Sequence, residues 1–293
     1  MKWLFGILFL ALLGYAYLSP IDSSEHGVTS GKPTNCSCGW VNPQTKRIVG
    51  GVEAGQHEFP MIAGIVYKDT SILFCGSTIV TRKHIVTAAH CAIPFVDKPH
   101  QIGIHVGHHN FHKVKKQTKL KDVEKVITHE KFNPKVVKYD IATLVLKDPL
   151  PIDPKVGPAC LPTSRLSLVG KKVKVLGWGL TTHKGKPSEV LLKVDLDIKP
   201  FEDCMFANLY MEIFDKHQFC SFTKNKDSCT GDSGGPLMLR DPETNRFTLV
   251  GVTSYGSFCG NTPAVNTEVG YFVPWIQKVI AETDPSMKTC GNV

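Results

Sequence analysis

Sixteen uncharged, mostly apolar residues, Trp3 to Leu18, follow Lys2, and polar sequence begins at Ser19-Pro20. The run is shorter than the about 20 residues of a membrane span, and no second apolar run follows. With Gly14 and Ala16 near its end, residues 1–19 are expected to be a secretory signal rather than a signal anchor, cleaved between Ala16 and Pro20. From Pro20 to Arg47 the composition turns to Ser, Gly, Pro and Asn with little periodicity. That predicts an exposed leader whose anchors are Cys36 and Cys38. From Ile48 to Val293 short β-rich runs recur between turn signals: Ile62–Val66, Ser77–Val80, Lys172–Leu176, Val190–Ile198 and Thr248–Ser254. Helical periodicity is strong only around Pro274 to Ile280. Many short strands closing on turns predict an all-β sandwich or barrel with a C-terminal helix.

Composition adds three facts. Of 293 residues, 42% are apolar and 20% charged, which is globular and excludes a disordered or collagen-like chain. The ten cysteines, an even number, predict an oxidising compartment and five bridges, in keeping with secretion. The net charge of +8 favours acidic surfaces without implying nucleic acid, for which no binding motif or aromatic-basic interleaving is present. Asn35-Cys36-Ser37 makes Asn35 a candidate glycosylation site.

Three local sequences carry candidate chemistry: Thr87-Ala88-Ala89-His90-Cys91, Asp140-Ile141-Ala142-Thr143-Leu144 and Gly231-Asp232-Ser233-Gly234-Gly235-Pro236. Singly, each fits an ordinary histidine, a strand-edge carboxylate or a tight turn. Together they supply what a serine nucleophile needs. A hydroxyl is weakly nucleophilic at neutral pH and requires an adjacent base. Histidine suits that task, because its ordinary pKa is about 6.5, and a carboxylate fixes its tautomer. The glycines around Ser233 let the N–H groups of Gly231 and Ser233 converge on one point. Donors so placed stabilise an oxyanion by about 3–4 kcal/mol each.

The order His, Asp, Ser and these motifs resemble a trypsin-like member of the chymotrypsin family, over Ile48 to about Ile280. The Cys-Ser-Cys-Gly-Trp leader and the run Pro263 to Thr267 also resemble secreted insect serine proteases of the hymenopteran venom type. The resemblance implies two six-stranded antiparallel β-barrels with the cleft between them, in a protease domain of residues 48–293. It implies His90 as general base, Asp140 as its orienting partner, Ser233 as nucleophile, and Gly231 with Ser233 as oxyanion hole. Lys46-Arg47-Ile48-Val49-Gly50-Gly51 resembles the family's zymogen cleavage site. The implied switch is a cut between Arg47 and Ile48, whose freed α-amine pairs with Asp232 and orders the pocket. Residues 20–47 would then be the activation leader.

Family positions imply the bridges Cys75–Cys91, Cys204–Cys220 and Cys229–Cys259. They also imply that Cys160 takes either Cys36 or Cys38, the other leader cysteine pairing with Cys290. A further common bridge is replaced by Val173 and Leu239. For specificity, Asp227 stands where the family places a carboxylate at the pocket base, with Ser228 beside it. A buried charge there selects Arg or Lys, because an apolar side chain would leave it unpaired. Ser254, Tyr255 and Gly256 match the strand that pairs with substrate backbone. Ala264 replaces a usual glycine in the pocket wall and Phe258 stands near its mouth, so both are expected to narrow it.

No cofactor is implied. His105, His108, His109 and His112 have four-residue spacings in two pairs, but on strand and loop such pairs diverge, so no metal site is expected. The family's calcium loop has His108, Lys115 and Thr118 where oxygen ligands are needed, and Pro263 argues against sodium. Lys113, Lys115, Lys116, Lys119 and Lys121 form a basic loop open to a polyanion, or else a solvated lysine face. The implied partners are protein substrates, an activating protease and protein inhibitors, with no membrane and a monomeric state. The reading is a secreted, extracellular zymogen of a serine endopeptidase cutting after Arg or Lys. Its rival is a protease-fold binding or decoy protein acting through its basic surface, which the complete set of motifs disfavours.

Overall fold

The computed structural model describes residues 35–42, 52–111, 120–180, 185–205, 216–224, 231–256 and 262–291. The signal segment, Arg47, Ile48, His112, Lys113 to Lys119, Asp227, Ser228, Phe258, Cys229 and Cys259 lie outside these. Thirteen strands are described. After the two-residue β1 (Val52–Glu53), six strands form one closed barrel: β2 (Ile62–Tyr67), β3 (Leu73–Ile79), β4 (His84–Thr87), β5 (Ile102–Val106), β6 (Lys121–Thr128) and β7 (Ala142–Leu146). Their order around the barrel is β2-β3-β4-β7-β6-β5.

The second barrel comprises β8 (Lys172–Gly177), β9 (Leu192–Lys199), β10 (Gln218–Ser221), β11 (Pro236–Asp241), β12 (Arg246–Tyr255) and β13 (Ala264–Glu268). Its order is β9-β10-β13-β12-β11-β8, and pairing of β8 with β9 closes it. β1 adds to the outside of β9 through Val52 opposite Lys193, so the start of the domain is stitched to the second barrel. All pairings between these strands are antiparallel. Closure removes the free edges that would otherwise invite aggregation.

The strand runs read from sequence are all strands here, with no end moved by more than four residues. The largest change is at the C-terminus, where the helix runs from Val269 to Thr283 with Pro274 inside it. Proline interrupts one helical hydrogen bond and usually marks a boundary. Here Val269, Phe272, Val273, Ile276, Val279 and Ile280 are buried, a three-and-four spacing whose packing outweighs that loss. His84 ties the far end down, its Nε2 bonded to Thr283 Oγ1 at 2.8 Å. No helix among the described residues is long and apolar enough to cross a membrane.

Of the leader, residues 35–42 are described, and they are held by more than their cysteines. Cys36 is bridged to Cys290 and Cys38 to Cys160, the pairing that the sequence left open. Yet Val41 is also 2% exposed and joins the main core. Asn42 donates its Nδ2 to the carbonyls of His57 and Pro154, each at 2.6 Å. Gly39 bonds to both Pro158 and Phe247 through its backbone, at 2.8 Å each. It has a φ of +63°, and a β-carbon there would run into the Phe247 backbone, so only glycine fits. Cys75–Cys91 and Cys204–Cys220 are also bridged. Val173 is buried and Leu239 packs against the same cluster, an apolar contact where a bridge is often found.

Candidate active site

The register of the first barrel brings His90 and Asp140 together. β4 and β7 pair antiparallel with Thr87 opposite Ala142, so the residues just after Thr87 and just before Ala142 share one end of the barrel. His90 lies there on the short helix α1 (Ala89–Ala92), and Asp140 lies two residues before β7. The His90 backbone N–H donates to Asp140 Oδ1 at 2.8 Å. The ring Nδ1 lies 2.8 Å from Oδ2. Because a carboxylate only accepts, Nδ1 carries the proton and Nε2 presents its lone pair.

Asp140 is 1% exposed, and a charge so buried is costly unless several donors face it. A third donor is Ser254, whose hydroxyl reaches Oδ2 at 2.5 Å. Thr267 Oγ1 donates to the Asp140 carbonyl at 2.8 Å. Ser254 lies on β12 and Thr267 on β13, so the second barrel fixes the carboxylate of the first. The sequence assigned Ser254 only to the substrate strand, and Thr267 to nothing. Their partners are 114 and 127 positions away, and no local motif reports a contact that distant.

Ser233 sits in the turn before β11, and two strands of the first barrel grip it. The Gly76 N–H donates to the Ser233 carbonyl at 2.8 Å. Thr87 Oγ1 in turn donates to the Gly76 carbonyl at 2.8 Å. On its other side, Gly234 N–H donates to the Thr253 carbonyl, and Thr253 N–H to that of Gly235. Gly234 has a φ of +77°, and a β-carbon on it would strike Thr87 Oγ1. Thr87 is three residues before His90, so this close approach draws the Ser233 turn and the His90 helix together. His90 Nε2 lies 3.5 Å from the bridged Cys91 sulfur.

Asp232 is turned onto the segment after β8. Its Oδ1 accepts from the Gly179 N–H at 2.8 Å, and its carboxylate fills the space that a β-carbon on Gly177 or Gly179 would need. Of the residues expected to form the specificity pocket, Gly256 and Ala264 face one another, a β-carbon on Gly256 falling 3.5 Å from the Ala264 methyl. Ala264 is buried and Tyr255 partly exposed.

The histidines of the β5 region pack as aromatic rings. His105 and His108 meet edge to face at 4.6 Å, and Phe111 lies against both. His108 Nδ1 donates to the Val106 carbonyl at 2.8 Å, and His109 Nε2 bonds Glu53 Oε1 at 2.7 Å. Among the described residues, the one cluster of three metal-capable side chains is Cys75, His90 and Cys91, and its two sulfurs bind each other.

Burial lowers the His105 pKa from 6.5 to about 4, with His108 adding to the effect, and burial lowers that of His84 to about 4. A histidine kept neutral in the folded state contributes stability above its unfolded pKa, near 6.5. That contribution is lost as pH falls toward 4, because only the unfolded chain takes the proton. Thermal melts are therefore expected to show falling stability over this window, and His105→Phe should flatten the slope.

Comparison with known proteins agrees with this geometry. The trypsin family model matches residues 48–276. Venom serine protease 34 of Apis mellifera is 37% identical over 83% of this chain and 60% of its own length, so the chain spans less than two thirds of that relative. A venom serine protease of Polistes dominula is 37% identical over 88% of this chain and 93% of its own. The clotting factor G beta subunit of Tachypleus tridentatus is 32% identical over 83% and 82% respectively. With two closed barrels around a buried carboxylate, and this match over most of its length, the chain belongs to the trypsin family of serine proteases.

Proposed function

We propose that the chain is the precursor of a secreted serine endopeptidase that cleaves after Arg or Lys, with Ser233, His90 and Asp140 as its catalytic triad. The observation carrying this reading is the Asp140 carboxylate, held by three donors with His90 Nδ1 at 2.8 Å. In the reaction, His90 Nε2 takes the Ser233 hydroxyl proton as Oγ attacks the scissile carbonyl. The Asp140 charge stabilises the imidazolium that forms. The Gly231 and Ser233 N–H groups hold the oxyanion of the tetrahedral intermediate. His90 then gives its proton to the leaving amine, and water hydrolyses the acyl-enzyme by the same steps in reverse order. Asp227 at the pocket base pairs with the cationic side chain of the substrate, and Ser228, Tyr255 and Gly256 complete that subsite.

Activation is a cut between Arg47 and Ile48, after which the Ile48 amine pairs with Asp232. The Gly179 contact supports this, because it turns the Asp232 carboxylate into the second barrel. The Cys36–Cys290 and Cys38–Cys160 bridges keep the leader attached after the cut. The names of the venom and clotting relatives favour release into an extracellular fluid such as venom, and activation by another protease. Protein inhibitors are expected partners, and the loop from Lys113 to Lys121 is open to a polyanion.

A panel of matched peptide amides with Arg, Lys, Phe or Ala before the cut tests the specificity. The Arg and Lys members are expected to turn over at least about 100-fold faster, since a buried carboxylate left unpaired penalises the others. Equal or faster cleavage after Phe or Ala would overturn the assignment of Asp227.

A further inference from the structure

The chain enters Asp140 through two left-handed residues. Val137 has a φ of +50° and Tyr139 one of +54°, and neither is a glycine or an asparagine. A β-carbon in that region crowds the backbone, most of all on a branched or bulky side chain. Such a conformation persists only where its surroundings impose it, and it collects at functional sites. The turn that follows carries the carboxylate. Ile141 N–H donates to the Tyr139 carbonyl at 2.9 Å, closing a three-residue turn with Asp140 at its centre.

The surroundings of Tyr139 come from both barrels. Its ring stacks on that of His129, which follows β6, with centroids 5.1 Å apart and planes at 23°. The His217 ring, just before β10, lies 4.0 Å from it. Phe272 of the C-terminal helix stands T-shaped to it at 6.1 Å. Both histidines are 7% exposed, so the rings that hold the tyrosine are themselves fixed in the interior. Gln218, the residue after His217, donates its Nε2 to the Val137 carbonyl at 2.9 Å. Two consecutive residues at the edge of the second barrel thus hold both left-handed positions. The His129 N–H donates to the Ile141 carbonyl at 3.0 Å, which fixes the far side of the same turn.

We infer that Tyr139 is a positioning residue for Asp140: its ring, locked against His129 and His217, holds the left-handed backbone that aims the carboxylate at His90. The inference rests on the proposed triad and deepens it. Without the ring, residue 139 relaxes to an ordinary negative φ and the 139–140 peptide turns. The Asp140 carboxylate then leaves the point where the His90 N–H, His90 Nδ1 and Ser254 Oγ converge. A hydrogen bond depends on direction as well as distance, so a small rotation weakens the Nδ1 contact before the fold is lost. The effect falls on proton transfer through His90 and not on substrate affinity.

The test uses the activated full chain and whichever peptide amide of the panel turns over fastest, with exhaustive fluorophosphonate labelling to count active sites. Tyr139→Ala should lower kcat per labelled site by about 10- to 100-fold at a nearly unchanged KM, the scale of a misplacement near ~1 Å. The far-downfield proton NMR signal of the hydrogen-bonded His90 Nδ1–H should weaken in parallel. Tyr139→Phe, which keeps the ring and its volume, should hold kcat within about 3-fold of the native chain. Fewer labelled sites, each turning over at the native rate, would show a role in folding alone and overturn the inference. So would a raised KM with kcat and the NMR signal unchanged. If Tyr139→Ala yields no labelled sites, Tyr139→Leu decides, because it fills the space without a stacking face. A lowered kcat with a weakened signal then supports the inference, and native values overturn it. Failure of the underlying triad looks different: the rate of the native chain would survive Asp140→Asn, a result that the Tyr139 variants do not touch.

Discussion

Asp140→Asn is expected to lower kcat by about four orders of magnitude, the size of loss known for this substitution in the reference enzymes of the family. The reason here lies in the buried hydrogen bonds. Asp140 accepts from the His90 backbone, from His90 Nδ1 and from Ser254 Oγ. An asparagine in the same place must turn one N–H toward these donors. Facing His90, that N–H forces the proton from Nδ1 to Nε2, and the base loses the lone pair that would accept the serine proton. Shape is nearly conserved, so the variant should keep its circular dichroism spectrum and still bind a pocket ligand such as benzamidine. Loss of binding together with loss of rate would mean that the fold, not the tautomer, had failed.

Arg47→Gln should leave the chain inactive after treatment with trypsin, where the native chain gains activity by at least about 1,000-fold. That is the order expected when an oxyanion hole and a specificity pocket are assembled together. The variant keeps every element described above, so its failure would be one of activation alone. A variant with an Ile48 amine generated by another protease, through a recognition sequence placed before Ile48, should recover full activity. Substantial activity in uncut Arg47→Gln would show that the chain needs no such switch.

The fold class and the pairing of His90 with Asp140 were both legible in the sequence, for different reasons. Alternating and continuous apolar runs with turns between them report strands directly, because each strand buries side chains at a fixed period. β2, buried in five of its six residues, and β12, buried in eight of ten, show this most clearly. The His90, Asp140 and Ser233 segments were legible because the constraints around them are local: a short helix after a strand, and glycines where the chain must turn tightly. What stayed hidden depends on distant partners. The hydroxyls of Ser254 and Thr267 read as ordinary strand residues until the second barrel brings them against Asp140. The leader read as exposed because polar residues dominate it. Residues 39–42 are held instead by one buried valine, a glycine pressed against Phe247 and the Asn42 amide. The C-terminal helix read as too short because Pro274 mimics a boundary, and only tertiary packing of Val269 and Phe272 carries the helix past it.

The most direct measurement is fluorophosphonate labelling of the purified chain before and after limited trypsin treatment, with Ser233→Ala alongside. The account predicts no labelling of the intact chain, stoichiometric labelling at Ser233 once a new terminus at Ile48 is verified, and none in the variant. Failure to label after verified cleavage would contradict it, and would leave a protease fold that binds rather than cuts.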